Sequence, residues 1–243
     1  MADLRNYQAR VAPGARADAA IDEGLRAYML RVYNLMALGL AITGVAAFAT
    51  AQLAMTNEAF AQVMYGSPLR WVVMLAPLGL VFFLSARIHK MSVSAAQTSF
   101  WVFAAVMGLS LSSIFLVFTG ESVVRVFFIT AASFGALSLW GYTTKRDLTG
   151  MGSFLFMGLI GLILAMIVNI FLASSALQFA ISAIGVLIFA GLTAYDTQQI
   201  KEMYYEGDDA AVSGRKAIMG ALRLYLDFIN LFMFLLQFLG NRE

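Results

Sequence analysis

Three ionisable side chains lie inside or at the ends of long apolar segments of the sequence. Asp196 ends one such segment, Asp227 lies within another, and Arg87 ends a third. Because a charge in hydrocarbon is costly, residues of this kind face a bundle interior or water and often mark an ion path. Two carboxyl groups within hydrogen-bonding range can share a proton, and a nearby arginine favours their ionised form. These residues therefore predict a titratable cation site.

The apolar segments around these residues are long enough to cross a membrane, for which a helix needs roughly 20 residues. Residues 148–195 carry no charge and would form one helix of about 72 Å, more than twice the hydrocarbon thickness, so we predict a turn at residues 173–176. We therefore predict an all-α polytopic membrane protein with seven transmembrane helices. Its single membrane domain covers residues 32–243 and follows a cytoplasmic tail over residues 1–31. The predicted spans lie within residues 32–57, 71–86, 91–120, 126–144, 152–172, 177–195 and 219–239.

The seventh apolar segment carries a polar stripe. Its members fall at roughly 0°, 40°, −20° and −40° around a helix axis and are Arg223, Asp227, Asn230 and Gln237. The rest of the segment is mostly Leu, Phe, Ile and Met, which predicts a central helix whose stripe faces polar partners or a water-filled cavity. An alternative is that Asp227 pairs with Arg223 one turn earlier while Asp196 lies at headgroup level. We expect Asn230 and Gln237 to support helix packing through hydrogen bonds.

The composition argues against most other functions. The chain is 61% hydrophobic and only 12% charged, with a formal net charge of +2, which does not suit a nucleic-acid binder. It has no cysteine and one histidine, His89, which leaves no thiolate nucleophile, no Cys-type metal site and no Ser/His/Asp arrangement. We therefore expect neither an enzyme nor a resident cofactor, and we expect His89 to be solvated at the interface rather than to sense pH.

Positive charges are distributed unevenly between the two sets of loops. Twelve Lys and Arg residues precede span one or follow spans two, four and six, whereas Arg70, Arg125 and Arg242 fall on the other side. Because Lys and Arg concentrate in cytoplasmic loops, we predict a cytoplasmic N-terminus, which puts the three ionisable residues in the cytoplasmic half. The stretch EGDDAAVSG between spans six and seven lacks the ligand alternation of a calcium loop, and we expect it to be exposed.

Two motifs resemble those of a known family. The run AYDTQQI, which contains Asp196, and the run LYLDFINLF, which contains Asp227, resemble the Bax inhibitor-1 family, and more closely its bacterial members. The resemblance extends over nearly the whole chain, including the cluster at residues 145–147 and the closing FLLQFLG. It implies a pH-sensitive calcium leak in which the two aspartates form a hydrogen-bonded sensor and Arg87 acts as a latch. Arg223 departs from the family pattern and is the alternative latch.

Three functions from different classes follow. The leading prediction is a passive, pH-gated calcium leak channel, with Ca²⁺ as the permeant ion and only transient binding at Asp196 and Asp227. The second is a membrane-embedded regulator of a membrane protease or of stress and cell-death signalling, with no transport of its own. The third is an intramembrane aspartyl protease, which also pairs two transmembrane aspartates. We rank it last because the GxGD run expected of such a protease is absent. The lipid bilayer is an expected partner, and a bacterial inner membrane is the expected location.

Overall fold

The computed structural model describes residues 13–242 of the chain and gives side-chain surroundings from residue 23 onward. Within this part of the chain, seven helices are long and apolar enough to cross a membrane, which confirms the predicted all-α polytopic fold. Residues 13–31, which belong to the predicted tail, are helical and continue into the first span. Residues 1–12 and 243 lie outside the described residues. The seven helices are α1 Pro13–Thr56, α2 Leu69–Arg87, α3 Val93–Leu111, α4 Gly120–Thr143, α5 Thr149–Leu172, α6 Ser175–Glu202 and α7 Ala210–Leu239.

The ends of these helices follow local signals in the sequence. Four side chains accept a hydrogen bond from a backbone N–H in the first turn of the helix that they precede. They belong to Ser92 before α3, Thr119 before α4, Ser174 before α6 and Asp209 before α7. Ala173 ends α5 with a φ of 48°, a left-handed conformation that terminates helices. The turn between the fifth and sixth spans therefore lies where the sequence predicted it.

Helix α7 begins at Ala210, inside the stretch EGDDAAVSG that was expected to be an exposed loop. The carboxylate of Asp209 caps the first turn at 2.7 Å. One turn further on, Lys216 donates to the carboxylate of Asp208 at 2.5 Å and to the carbonyl of Met203 at 3.0 Å. The predicted extent of the loop was therefore wrong, because a helix cap and a lysine bind most of this stretch to α7.

Helix α7 lies at the centre of the bundle. It packs against α1, α3, α4 and α6, and 72% of its membrane-spanning window is buried, compared with 11% for α5. Helix α5 packs mainly on α6, and α2 packs mainly on α3. A helix that is apolar on nearly every side is stable when other helices surround it. The predicted central position of the seventh helix is confirmed.

A close approach of two backbones fixes α6 against α4. Gly141 of α4 lies against the backbone carbonyl of Ala194 in α6, where a larger side chain would collide with that carbonyl. Hydroxyl groups extend this contact, since Ser138 lies 2.8 Å from the hydroxyl of Thr197 and 2.6 Å from that of Tyr33. These bonds join α1, α4 and α6 beside the helical turn that carries the first aspartate.

Candidate functional site

The candidate site is a pair of carboxyl groups where α6 meets α7. The side chain of Asp196 is hydrogen-bonded to the side chain of Asp227. Asp227 is only 5% exposed and Asp196 is half-buried, and no donor in the described part of the chain reaches Oδ2 of Asp227. An ionised carboxylate has no hydrogen to donate, so a bond between two carboxyl groups requires one of them to be protonated. The structure therefore brings the two predicted site residues within hydrogen-bonding reach of each other.

Consecutive residues of the AYDTQQI run orient α6 so that Asp196 faces α7. The hydroxyl of Thr197 points to α4, where it lies 2.8 Å from a serine hydroxyl. Gln198 is buried and spans the connection between α4 and α5. Its Oε1 accepts from the N–H of Leu148 at 2.8 Å, and its Nε2 donates to the carbonyl of Arg146 at 2.8 Å. Because successive helix residues point in different directions, these bonds on the other sides of α6 leave Asp196 facing α7.

Aromatic side chains of the LYLDFINLF run fix the rotation of α7. The hydroxyl of Tyr225 lies 2.6 Å from that of Thr43 in α1. Its ring packs edge-to-face on two phenylalanines of α3, with centroids 5.8 and 5.4 Å apart. Phe228 packs in the same way on a phenylalanine of α4 at 5.5 Å. With its neighbours held by α1, α3 and α4, Asp227 is left facing α6.

The two arginines predicted as latch candidates lie in different surroundings. The charge of Arg223 is close enough to act on both carboxyl groups, although its side chain is exposed. Arg87 is also exposed, at the end of α2. Among residues 23–242 the salt bridges lie elsewhere, so neither arginine forms an ion pair with Asp196 or Asp227. The alternative pairing of Arg223 with Asp227 is thus absent from the described residues, and the latch role of Arg87 stays a prediction.

The polar stripe predicted on α7 does not face a single cavity. The amide of Asn230 donates to a backbone carbonyl one turn earlier at 2.8 Å, so it bonds within its own helix. Gln237 faces α6 instead, where Gln178 donates to it at 2.8 Å. Asp227 is buried against α6, whereas Arg223 is exposed. The four residues of the stripe therefore have different neighbours, which their angles around the helix axis do not reveal.

An amide network that the sequence analysis missed joins three helices at the opposite end of α7. Asn169 of α5 donates to Gln178 of α6 at 3.1 Å, and Gln178 donates to Gln237. The hydroxyl of Ser182 also reaches Gln237, at 3.4 Å. These residues line a cavity of about 490 Å³. A signal was available, because Asn169 and Gln178 are the only amide side chains in the uncharged residues 148–195.

Tyr28 is a second buried polar residue that the sequence analysis did not single out. It is 5% exposed, and its ring packs on that of Tyr204 with centroids 5.7 Å apart. Its hydroxyl has no hydrogen-bond partner in the described part of the chain, although the charges of Asp208 and Arg223 act on it. Tyr204 and Asp208 belong to the connection between α6 and α7, and Arg223 lies near the carboxyl pair. Tyr28 is therefore buried beside this connection, at the end of the bundle nearest to the pair.

The described residues contain no group of three or more His, Asp or Glu side chains that could hold a metal ion. A resident Ca²⁺ takes six to eight oxygen ligands, and two carboxyl groups alone supply too few of them. The pair by itself therefore does not make a structural calcium site.

Seven membrane-spanning helices with α7 at their centre, and paired carboxyl groups between the last two, define a polytopic membrane protein with an intramembrane acidic site. A sequence model of the family described as "Inhibitor of apoptosis-promoting Bax1" matches residues 25–243. The chain therefore belongs to the Bax inhibitor-1 family, as its two motifs predicted.

Three bacterial relatives align with nearly the whole chain. The chain is 52% identical over 222 residues to the protein RP147 of Rickettsia prowazekii (strain Madrid E), covering 91% of this chain and 92% of the relative. It is 50% identical over 250 residues to a protein of Caulobacter vibrioides, covering 100% of both. It is 46% identical over 228 residues to the inner membrane protein YbhL of Escherichia coli (strain K12), covering 90% of this chain and 94% of the relative.

Proposed function

We propose that the protein is a passive, pH-sensitive calcium leak channel of a bacterial inner membrane, with its N-terminus in the cytoplasm. The observation that carries this proposal is the pairing of the carboxyl groups of Asp196 and Asp227, of which Asp227 is buried. The relative YbhL is an inner membrane protein, which supports the location. A leak runs down the existing gradient, so the proposal needs neither catalysis nor a resident cofactor.

Loss of the shared proton changes the forces between α6 and α7. Two carboxylates without a proton between them repel each other, most strongly where water is scarce. A cation close to them then gains charge-assisted hydrogen bonds, which are roughly twice as strong as neutral ones. We assign this cation to Arg87 in the closed state at neutral pH. Protonation at lower pH weakens the bond and lets α2 and α7 separate, so calcium flux rises as pH falls.

The position of α2 suits this gate. The turn Ile88–Lys90 directly after Arg87 packs against α7, and Ile88 is buried there. The rest of α2 packs mainly on α3, so the contact of this segment with α7 is made chiefly by the turn next to Arg87. Arg223 already lies near the pair and competes for the same carboxylates, which makes it the alternative latch.

Oxygen atoms along the interface between α6 and α7 suit calcium as the permeant ion. Ca²⁺ is a hard cation that prefers oxygen ligands and accepts irregular coordination. The aspartate pair supplies carboxylate oxygens at one end of the interface, and Gln178 and Gln237 supply amide oxygens at the other. Contacts of this kind are weak enough for an ion to leave, as conduction requires.

A second candidate function is regulation of another membrane protein, with no transport by this chain. The description of the matched family refers to inhibition of a death-promoting protein, which supports such a role. Helix α5 also leaves most of its apolar surface uncovered by the rest of the chain, including Phe154 at 69% and Phe171 at 82% exposure. A partner helix in the same membrane could pack against this surface.

Calcium flux into liposomes that contain only the purified protein distinguishes the two functions. The leak proposal expects calcium entry that increases as pH falls, with no added partner and no energy source. Empty liposomes and liposomes that contain folded Asp196→Asn protein serve as controls. Absence of flux at every pH, from protein shown to be inserted and folded, would overturn the leak and leave the regulator.

A further inference from the structure

A continuous groove runs along the bundle between α1 and α4. Three adjoining cavities of about 620, 570 and 580 Å³ form it, and neighbouring cavities share lining residues such as Leu40 and Phe134. Helices α1 and α4 each pack on α7 but hardly on each other, so α7 forms the floor of the groove through Phe228 and Phe232. The lining is mostly apolar, and the groove opens sideways toward the hydrocarbon of the membrane.

One end of the groove carries positive charge and hydroxyl groups. Arg26 and Tyr142 line this end, and the Lys201 ammonium lies 5.2 Å from the centre of the Tyr142 ring and donates to the Tyr142 carbonyl at 2.8 Å. Tyr33 and Ser138, which are bonded to each other at 2.6 Å, line the groove about 10 Å further along α1. The interfacial layer of a bilayer is about 5–7 Å thick on each side, so this hydroxyl pair lies near the start of the hydrocarbon when Arg26 is at the headgroups.

We propose that this groove binds one anionic phospholipid, with its phosphate at Arg26 and Lys201 and its acyl chains along α7. The order of groups along the groove matches such a lipid. Cations come first, hydroxyl groups follow at the depth of the ester groups, and aromatic and aliphatic side chains follow at the depth of the acyl chains. Basic side chains at this level attract anionic headgroups.

The dimensions of the groove favour lipid chains over a protein helix. The cavity from Arg26 to Met36 holds about 580 Å³. Along about 15 Å of α1 this is a narrow space that suits extended acyl chains, whereas a helix is 10–12 Å across. A transmembrane helix, including one from a second copy of this chain, would lie on the rim and leave the groove itself unfilled.

Two glycines allow the groove to be filled without disturbing the bundle. Gly135 lines the cavity at the charged end, and Gly44 lines the other two cavities. A Cβ atom added at either position would meet no atom within 4 Å, so a leucine there extends into the groove. Gly161 on the exposed face of α5 is equally open and lies outside the groove, which makes Gly161→Leu the matched control.

Native mass spectrometry of the purified full chain tests the proposal. The protein is equilibrated in mixed micelles that contain equal amounts of phosphatidylglycerol and phosphatidylcholine, and retained lipids are counted. We expect one retained phosphatidylglycerol in the wild type and in Gly161→Leu, and loss of retained lipid in Gly135→Leu. Arg26→Gln should lower the preference for phosphatidylglycerol about fivefold, the effect of one basic side chain near an anionic surface. Circular dichroism and gel filtration check folding, and Gly44→Leu replaces Gly135→Leu if that variant is unfolded.

Three results would overturn the proposal. Equal retention of the two lipids by the wild type would mean that the groove does not select an anionic headgroup. Equal lipid retention by Gly135→Leu, Gly44→Leu and Gly161→Leu would place the bound lipid elsewhere. A cross-link between Gly135→Cys positions of two chains would instead identify a second copy as the occupant. The assay contains no calcium gradient, so its outcome is independent of the leak proposal.

Discussion

The hydroxyl of Tyr225 lies 2.6 Å from the hydroxyl of Thr43, and this bond joins α7 to α1 two residues before Asp227. Thr43 also donates to the carbonyls of Ala104 and Gly39, at 2.8 and 3.0 Å. A threonine hydroxyl has one hydrogen, so Tyr225 is the donor in the bond between the two hydroxyls. The orientation of the aspartate pair therefore depends on a buried hydroxyl group outside the pair.

Tyr225→Phe should destabilise the protein by about 1 kcal/mol, the usual net contribution of one buried hydrogen bond. The ring stays packed on α3, and the Thr43 hydroxyl keeps its backbone acceptors, so the loss should be no larger. Thermal unfolding followed by circular dichroism in detergent measures it. Tyr205→Phe is the matched control, because Tyr205 is 67% exposed. This variant should unfold at the same temperature as the wild type. Identical melting of both variants would show that the bond does not stabilise α7.

Asp196→Asn and Asp227→Asn should each make calcium flux nearly independent of pH between about pH 6 and 8. This interval lies well above the pH range in which an ordinary carboxyl group titrates. An amide cannot titrate, and the remaining aspartate loses the partner with which it shares a proton. Flux into protein liposomes at a series of pH values measures the effect. Folded and inserted variants with a wild-type pH response would rule out the two-aspartate sensor.

Asp147→Asn is the matched control for that experiment. Asp147 lies in the connection between α4 and α5, outside the spans, and hydrogen bonds from the Thr149 hydroxyl and backbone N–H lower its pKa below the usual range. A carboxyl group whose pKa lies below its ordinary value is ionised throughout pH 6 to 8. Its replacement should therefore leave the pH profile of calcium flux unchanged.

Gln198→Ala should lower the free energy of unfolding by about 1–3 kcal/mol, because the buried N–H of Leu148 loses its acceptor. Gln199 is the matched control, since its amide bonds only with Glu202 at the exposed surface. Thermal unfolding compares Gln198→Ala with Gln199→Ala. Equal stability of the two variants would argue against a structural role for Gln198.

The sequence was sufficient to predict the seven helices and the proximity of the two aspartates. Charged residues are rare inside the apolar segments, so the charged residues that flank these segments mark the ends of most spans. An acid such as Asp227 inside an apolar helix has few stable locations other than the bundle interior. The start of α7 was predicted too late, because hydropathy does not register the Asp209 cap or the contact of Lys216 with Asp208.

The neighbours of each polar residue could not be predicted from one helix at a time. Helical angles put Asn230 and Gln237 on one stripe, but their partners depend on which helices lie beside α7 at each depth. Gln178 reaches Gln237 only because α6 runs antiparallel to α7, and the charge of Arg223 acts on Tyr28 only because α1 passes beside the connection between α6 and α7. These contacts join residues far apart in sequence.

Arg87→Ala should raise calcium flux at neutral pH, because it removes the cation that we propose holds the ionised aspartate pair closed. A hydrogen bond to a charged group contributes about 1.5–3 kcal/mol, so we expect about a tenfold increase in leak at pH 7 and little change in acid, where the pair is protonated. Arg87→Lys should restore only part of the closure, since lysine lacks the planar fork that binds a carboxylate at two points. The comparison variant is Arg223→Ala, measured in the same liposomes. If it shifts the pH profile while Arg87→Ala does not, the latch is the arginine that the structure already places near the pair.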